Sequence, residues 1–110
     1  MATSFKHEVT TNLGTTPTDV LTTGEGFRLT IIGCNIANTT DYDTVNVHVW
    51  IVDASSTAAY YVKGIPVPPN TSLKLITNGE KLILPEAASI RIAADVEDSI
   101  DTVISYVEIS

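Results

Sequence analysis

Cysteine is almost absent from this sequence, since Cys34 is its only one. A single thiol cannot form an intrachain disulfide, so the fold has to hold without covalent links, which suits a reducing cytosol. The neighbouring residues Ile31, Ile32 and Ile36 indicate that Cys34 is a small buried hydrophobe and not a reactive thiolate. A secreted scaffold stapled by disulfides is therefore excluded.

Positive charge is scarce as well. Six Lys and Arg stand against 13 Asp and Glu, which leaves a formal net charge of -7, and the cations are scattered along the chain. Such a surface repels phosphate backbones, so nucleic acid is not expected as a partner. No apolar run approaches the ~18 residues of a membrane span, and the N-terminus lacks a signal-peptide core. We expect a chain that is made in the cytoplasm and has no membrane partner.

Motifs that carry chemistry are also missing. The sequence has no Gly-rich phosphate loop, no Cys or His pair at metal-ligand spacing and no serine motif of hydrolase type. His7 lies near a chain end, and His48 lies on the polar side of a predicted strand. The acidic run from Asp95 to Asp101 lacks the ligand spacing and central glycine of a calcium loop, so a solvated turn is predicted. We expect no enzymatic activity, no cofactor and no metal.

The sequence does contain many alternating apolar residues and turn signals. The clearest strand covers 44–53, where Val45, Val47 and Val49 alternate with polar residues. Further strands are predicted at 4–10, 18–22, 27–37 with a bulge at Gly33, 60–65, 73–77, 80–84, 89–94 and 102–109. Turns recur roughly every 8 to 12 residues, and no segment has a helical period. The prediction is one domain over residues 1–110, an antiparallel β-sandwich or jelly roll of about eight short strands.

Two corners add detail to this prediction. Asn78-Gly79 favours a type I′ turn, so the segments 73–77 and 80–84 are predicted to form a hairpin. Pro66, Pro68 and Pro69 remove backbone donors, so the strand at 60–65 is expected to leave the sheet or to run along its edge.

Large side chains and chain ends suggest where partners bind. Two roles are open for the aromatic residues Trp50, Tyr60 and Tyr61. They either pack in the core and at subunit contacts, or form a carbohydrate-binding surface together with the loop Asp41 to Asp43. Residues 1–11 are predicted as an N-terminal arm that extends onto a neighbour. The predicted interface combines the aromatic residues with the proline corner: Trp50, Tyr60, Tyr61, Ile65, Pro68 and Pro69.

The whole chain resembles small β-sandwich virion proteins of tailed bacteriophages and cyanophages. The resemblance rests on "SFKHEVTTNLGTTPTDVLTTGEGFRLTIIGCNIANTT", on "VKGIPVPPNTSLKLI" with "KLIL", and on the final strand "DTVISYVEIS". One departure is Pro85-Glu86-Ala87-Ala88, where such proteins often have a Gly-Asp turn. The resemblance identifies no catalytic residue.

This resemblance implies a non-enzymatic structural protein of the virion, synthesised in the host cytoplasm. The expected role is a capsid decoration or cement protein that forms a homo-oligomer, with a trimer favoured, and binds the major capsid protein. A neck, tail-hub or fibre-adaptor protein that contacts neck or tail proteins is the alternative within this class. Outside it, the alternative is a carbohydrate-binding module.

Overall fold

The computed structural model describes residues 2–76 and 81–110, which form two antiparallel sheets around one core. No helix occurs among these residues. The described strands are, in chain order, β1 (Thr3–Leu13), β2 (Thr18–Thr22), β3 (Arg28–Asn38), β4 (Val45–Val52), β5 (Ala58–Val67), β6 (Ser72–Ile76), β7 (Leu82–Leu84), β8 (Ser89–Ala94) and β9 (Ile100–Ile109).

The strand order within the sheets is that of a jelly roll. The first sheet has the order β1-β9-β3-β6, with β7 also pairing with β3, and the second sheet has the order β2-β8-β4-β5. Ile76 of β6 lies opposite Cys34, and Leu82 of β7 lies opposite Ile31, so β6 and β7 follow one another along the same edge of β3. If β6 and β7 are counted as one interrupted strand, each of the two sheets has four strands, as in a jelly roll. The predicted all-β, antiparallel fold is confirmed.

The strands that flank Asn78-Gly79 do not form the predicted hairpin. Both β6 and β7 are antiparallel to β3, so they run in the same direction, whereas the two arms of a hairpin run in opposite directions. Asn78 and Gly79 themselves lie outside the described residues. Alternation correctly predicted two strands, but the partner of each strand is β3, which is distant in sequence.

A bulge in β3 explains why its apolar residues change parity. The register between β3 and β9 shifts between Ile31 and Gly33, which leaves Ile32 as an extra, exposed residue. Leu29 and Ile31 therefore face the core before the bulge, and Cys34 and Ile36 face it afterwards. The predicted bulge at Gly33 is confirmed.

The core lies between the two sheets and is built from aliphatic side chains. The first sheet supplies Leu29, Ile31, Ile36, Leu84 and Ile104, and the second supplies Val45, Val47, Val49, Ile90 and Ile92, all of them fully buried. Burying one such side chain stabilises the fold by roughly 1.5–3 kcal/mol. A disulfide is therefore not needed to hold the sheets together.

The first sheet ends at β1, which pairs along β9 of its own chain. The pairing runs without a shift from Thr3, opposite Ile109, to Thr10, opposite Thr102. Residues Thr3 to Val9 are all exposed, on both faces of the sheet. The predicted N-terminal arm is thus a strand of this sheet, and its contact with a neighbour stays a prediction.

Candidate functional site

Cys34 and the two histidines, the side chains considered for catalysis, lie in three different environments. Cys34 is 3% exposed, and burial raises the pKa of its thiol to about 12, so it stays protonated at neutral pH. His48 Nδ1 accepts a hydrogen bond of 3.0 Å from the backbone N–H of Gly64. His7 lies on the exposed strand β1, opposite Ser105 of β9. These positions provide no nucleophile paired with a base.

Carboxylates of the acidic turn hold neighbouring backbone in place. Asp95 accepts hydrogen bonds from the backbone N–H and the side-chain amide of Asn46, both at 2.9 Å. Glu97 accepts the Thr15 N–H at 2.7 Å and also bonds the Thr15 hydroxyl. Hydrogen bonds from the Asn46 backbone N–H chiefly lower the pKa of Asp95, and the Thr15 hydroxyl chiefly lowers that of Glu97.

Within residues 2–76 and 81–110, no group of three or more His, Cys, Asp or Glu is arranged to hold a metal ion. Each of three carboxylates in the acidic turn instead accepts a hydrogen bond from a different backbone N–H. Besides Asp95 and Glu97, Asp101 accepts a 2.9 Å hydrogen bond from the N–H of Asn12. The turn thus connects the end of β1 and the start of β4 to β8 and β9.

An aromatic cluster lies on the outer face of the second sheet. Trp50 of β4 lies opposite Tyr60 of β5, with ring centroids 5.1 Å apart, and the His48 ring lies 5.8 Å from Trp50. Lys63 Nζ lies 5.3 Å from the centre of the Tyr60 ring, where an ammonium is attracted to the aromatic face. Arg91 lies opposite Trp50 on the other side. The cluster combines three aromatic rings with the Lys63 ammonium, while the Arg91 side chain is ion-paired with Asp19 at 2.8 Å.

Local irregularity in β5 produces this cluster. The β4–β5 register shifts twice, between Val47 and Val49 and between Val49 and Trp50. The first shift brings Gly64, with a φ of +66°, beside the His48 ring. The second leaves Tyr61 without a direct partner on β4. Glycine adopts this φ at little cost, so the bulge and the histidine contact form together.

The residues predicted to form an interface lie in three different parts of the structure. Trp50 and Tyr60 belong to the aromatic cluster, and Tyr61 lies exposed at the neighbouring bulge. Ile65 packs against the core instead. Pro68 and Pro69 lie in the turn after β5, where the Pro68 carbonyl accepts hydrogen bonds from Thr71. As predicted, the strand before these prolines lies at a sheet edge.

The loop Asp41 to Asp43 lies apart from Trp50. Asn38 holds this loop, because its amide donates to the carbonyls of Asp43 and Val67, both at 2.8 Å. The loop therefore lies beside the proline turn, at the start of β4, and Trp50 lies five residues further on, about 17 Å along the strand. The aromatic residues and the acidic loop do not form the single carbohydrate platform considered from the sequence.

A second surface, which the sequence did not reveal, is the outer face of the first sheet. Strand register places Phe5, Val107, Thr30 and Ile83 side by side on four neighbouring strands. Three of these four residues are apolar, and we call the set the apolar row. Phe5 is 80% exposed and Ile83 is 59% exposed. Val107 and Thr30, between them, are half-buried. Exposed apolar side chains grouped on one face of a sheet are typical of interaction surfaces.

A shallow groove of about 230 Å³ lies on the same face, beside the β3 bulge. Lys74, Val103 and Ser105 contribute to its walls, and Asn35 Oδ1 is buried there without a hydrogen-bond partner. The groove is open, and its described lining residues include neither a carboxylate nor a histidine.

Comparisons with known proteins found no match among protein-family models, curated proteins or solved structures. In the part of the chain that the structure describes, no helix is long and apolar enough to span a membrane.

Proposed function

We propose that the protein is a non-enzymatic structural protein of a tailed-phage virion, placed on the capsid as a decoration or cement protein. The observation that carries the proposal is the apolar row on the outer face of the first sheet. Jelly rolls are common in viral capsid proteins, which adds support from the fold. The resemblance of the chain to small phage virion proteins points in the same direction.

The apolar row suits contact with the major capsid protein. Burying the Phe5 and Ile83 side chains would contribute roughly 2 kcal/mol each before the costs of association are subtracted. The net charge of -7 favours a position on the outside of the shell, away from packaged DNA. The resemblance also favours a homo-oligomer, which a solution mass above that of one chain would support.

A position in the neck or tail is the alternative within the same class. The apolar row would then contact neck or tail proteins, with the same physical basis. The number of copies per particle separates the two positions, because a shell protein is present in numbers comparable to the coat protein and a neck or tail protein in a few copies.

The experiment that tests the proposal introduces a charge into the apolar row. Ile83→Asp should lower incorporation of the protein into particles at least tenfold, because the contact would have to bury a carboxylate. Tyr42→Asp is the matched control, since Tyr42 is 80% exposed and lies in the acidic loop. Circular dichroism and thermal melting establish that both variants are folded. Equal incorporation of the two variants would contradict the proposal.

A carbohydrate-binding module is the second candidate, and the aromatic cluster favours it. Aromatic rings beside polar groups can stack on sugars, and Trp50, Tyr60 and His48 provide such a surface. Binding on a glycan array that disappears in Trp50→Ala and persists in Tyr42→Ala would support this function. Absence of glycan binding together with incorporation into particles would exclude it in favour of the virion role.

A further inference from the structure

The free edge of β1 is unusual among the sheet edges of this fold. The other edge strands are interrupted: β2 and β6 each span five residues, β7 spans three, and β5 contains Pro66 and two register shifts. Short strands, prolines and bulges all hinder pairing with another chain. β1 spans 11 residues and keeps its register with β9 from Thr3 to Thr10. It offers an uninterrupted edge for another strand.

Backbone hydrogen bonds show which residues of β1 face this free edge. The N–H of Ser110 donates to the carbonyl of Ala2 at 3.0 Å, and Asn12 N–H also points to the β9 side, where it donates to Asp101. Backbone groups alternate in direction along a strand, so even-numbered residues bond β9. Phe5, His7 and Val9 therefore present their N–H and C=O groups to the free edge.

The sequence of β1 is complementary to itself about His7. In "SFKHEVT", Lys6 and Glu8 flank His7, then Phe5 and Val9, then Ser4 and Thr10. An antiparallel second copy centred on the same residue places its Glu8 opposite Lys6, and its Val9 opposite Phe5. Opposite charges and apolar residues that face each other across strands are stabilising.

From this geometry we propose that two copies of the chain pair through β1, antiparallel and about a two-fold axis at His7. The contact joins the two first sheets into one continuous sheet across the dimer. His7 lies opposite His7 of the second copy, and the two residues exchange both backbone N–H···O bonds. On either side of this pair, Phe5 of one copy forms the same kind of hydrogen-bonded pair with Val9 of the other.

Side chains on both faces of β1 support this register. Phe5 is 80% exposed and Val9 is 53% exposed, and both lie on the outer face, where each covers part of the other across the axis. On the opposite face, Lys6 is paired with Glu108 at 2.8 Å, while Glu8 makes no ion pair among the described residues. The second copy supplies Glu8 with a cation, because its Lys6 lies directly opposite.

The first test compares two variants of His7 in the isolated protein, and so does not depend on the proposed function. His7→Pro removes an N–H that faces the free edge and leaves the β9 pairing intact, since proline is tolerated on the open side of an edge strand. His7→Ala removes the side chain and keeps the N–H. We expect the wild type and His7→Ala to have twice the 11.8 kDa chain mass by light scattering.

For His7→Pro we expect roughly thirty-fold weaker dimerisation, because each dimer loses two backbone hydrogen bonds. Thermal melting checks that this variant keeps the monomer fold. Equal dimerisation of the proline and alanine variants would overturn the proposal. A monomer at every concentration would also overturn it, as would a trimer that is unaffected by proline.

A crosslinking test fixes the register. His7→Cys places two thiols opposite each other, with Cα atoms about 5.5 Å apart, which a disulfide can span. Phe5→Cys is the matched control, since the two copies of position 5 lie about 13 Å apart along the paired strands. Cys34 does not compete because it is buried. Oxidation should link His7→Cys and not Phe5→Cys, and the reverse result would overturn this register.

A charge-exchange test examines the ion pairs. Lys6→Glu and Glu8→Lys each place like charges opposite one another in their own homodimers, so both variants should dimerise more weakly than the wild type. Mixed together, they restore two opposite-charge pairs and should form the heterodimer preferentially by native mass spectrometry. A statistical mixture of homodimers and heterodimers would contradict the predicted facing of Lys6 and Glu8.

Discussion

Removal of the Asn38 side chain should destabilise the fold strongly. This side chain is 3% exposed, and its amide donates to Asp43 and Val67 carbonyls while its Oδ1 accepts from the N–H and hydroxyl of Thr40, at 2.8 to 2.9 Å. Asn38→Ala removes all four of these hydrogen bonds, while the Asp43 carbonyl keeps a 3.0 Å hydrogen bond from the Thr40 hydroxyl. At about 1 kcal/mol for each net hydrogen bond, with part of the Thr40 contact replaced by water, the loss is about 3 kcal/mol.

The same strand offers a matched control for this prediction. Asn35 Oδ1 is buried without a partner, so Asn35→Ala should change the free energy of unfolding by less than about 1 kcal/mol. Urea unfolding followed by tryptophan fluorescence measures both variants, and Asn38→Ala should also lower the melting temperature by about 10–20 °C. Equal destabilisation by the two substitutions would refute the argument that bonded and unbonded amides differ.

Three further predictions concern acid stability, thiol reactivity and the β5 bulge. Folding lowers the pKa values of Asp95 and Glu97, so these carboxylates stabilise the folded state fully above their unfolded pKa values near 4. This stabilisation is lost as pH falls through the folded pKa values. Between pH 7 and 2.5, the melting temperature should therefore fall less for Asp95→Asn than for the wild type. Cys34 should react with a thiol reagent only in denaturant, and rapid labelling of the native protein would contradict its burial. Gly64→Ala should cost about 1 kcal/mol in urea unfolding, because its φ is +66°, whereas an unchanged midpoint would show that the bulge relaxes freely.

Much of the fold follows from local pattern. The strict alternation in β4 places Val45, Val47 and Val49 in the core, and the parity change at Gly33 marks the bulge in β3. These features depend on neighbouring residues along the chain, so a sequence pattern can predict them. The pairing of strands depends on distant residues, which is why Asn78-Gly79 suggested a hairpin while its flanking strands pair with β3.

The candidate surfaces were only partly predictable for the same reason. Alternation places His48 and Trp50 on one face of β4, but the contact of Trp50 with Tyr60 depends on two register shifts in β5. The apolar row joins Phe5, near one end of the chain, to Val107 near the other, so no local pattern contains it. The self-complementary sequence of β1 is visible without a structure, yet its meaning depends on which side of the strand is free.

The proposed place of the protein in a virion is tested most directly by its copy number in purified particles. Quantitative mass spectrometry would compare this chain with the major coat protein of the same particles. We expect copies in numbers comparable to the coat protein, as a decoration protein of the shell requires. A few copies per particle would place the chain at the neck or tail instead, and its absence from particles would contradict the virion role.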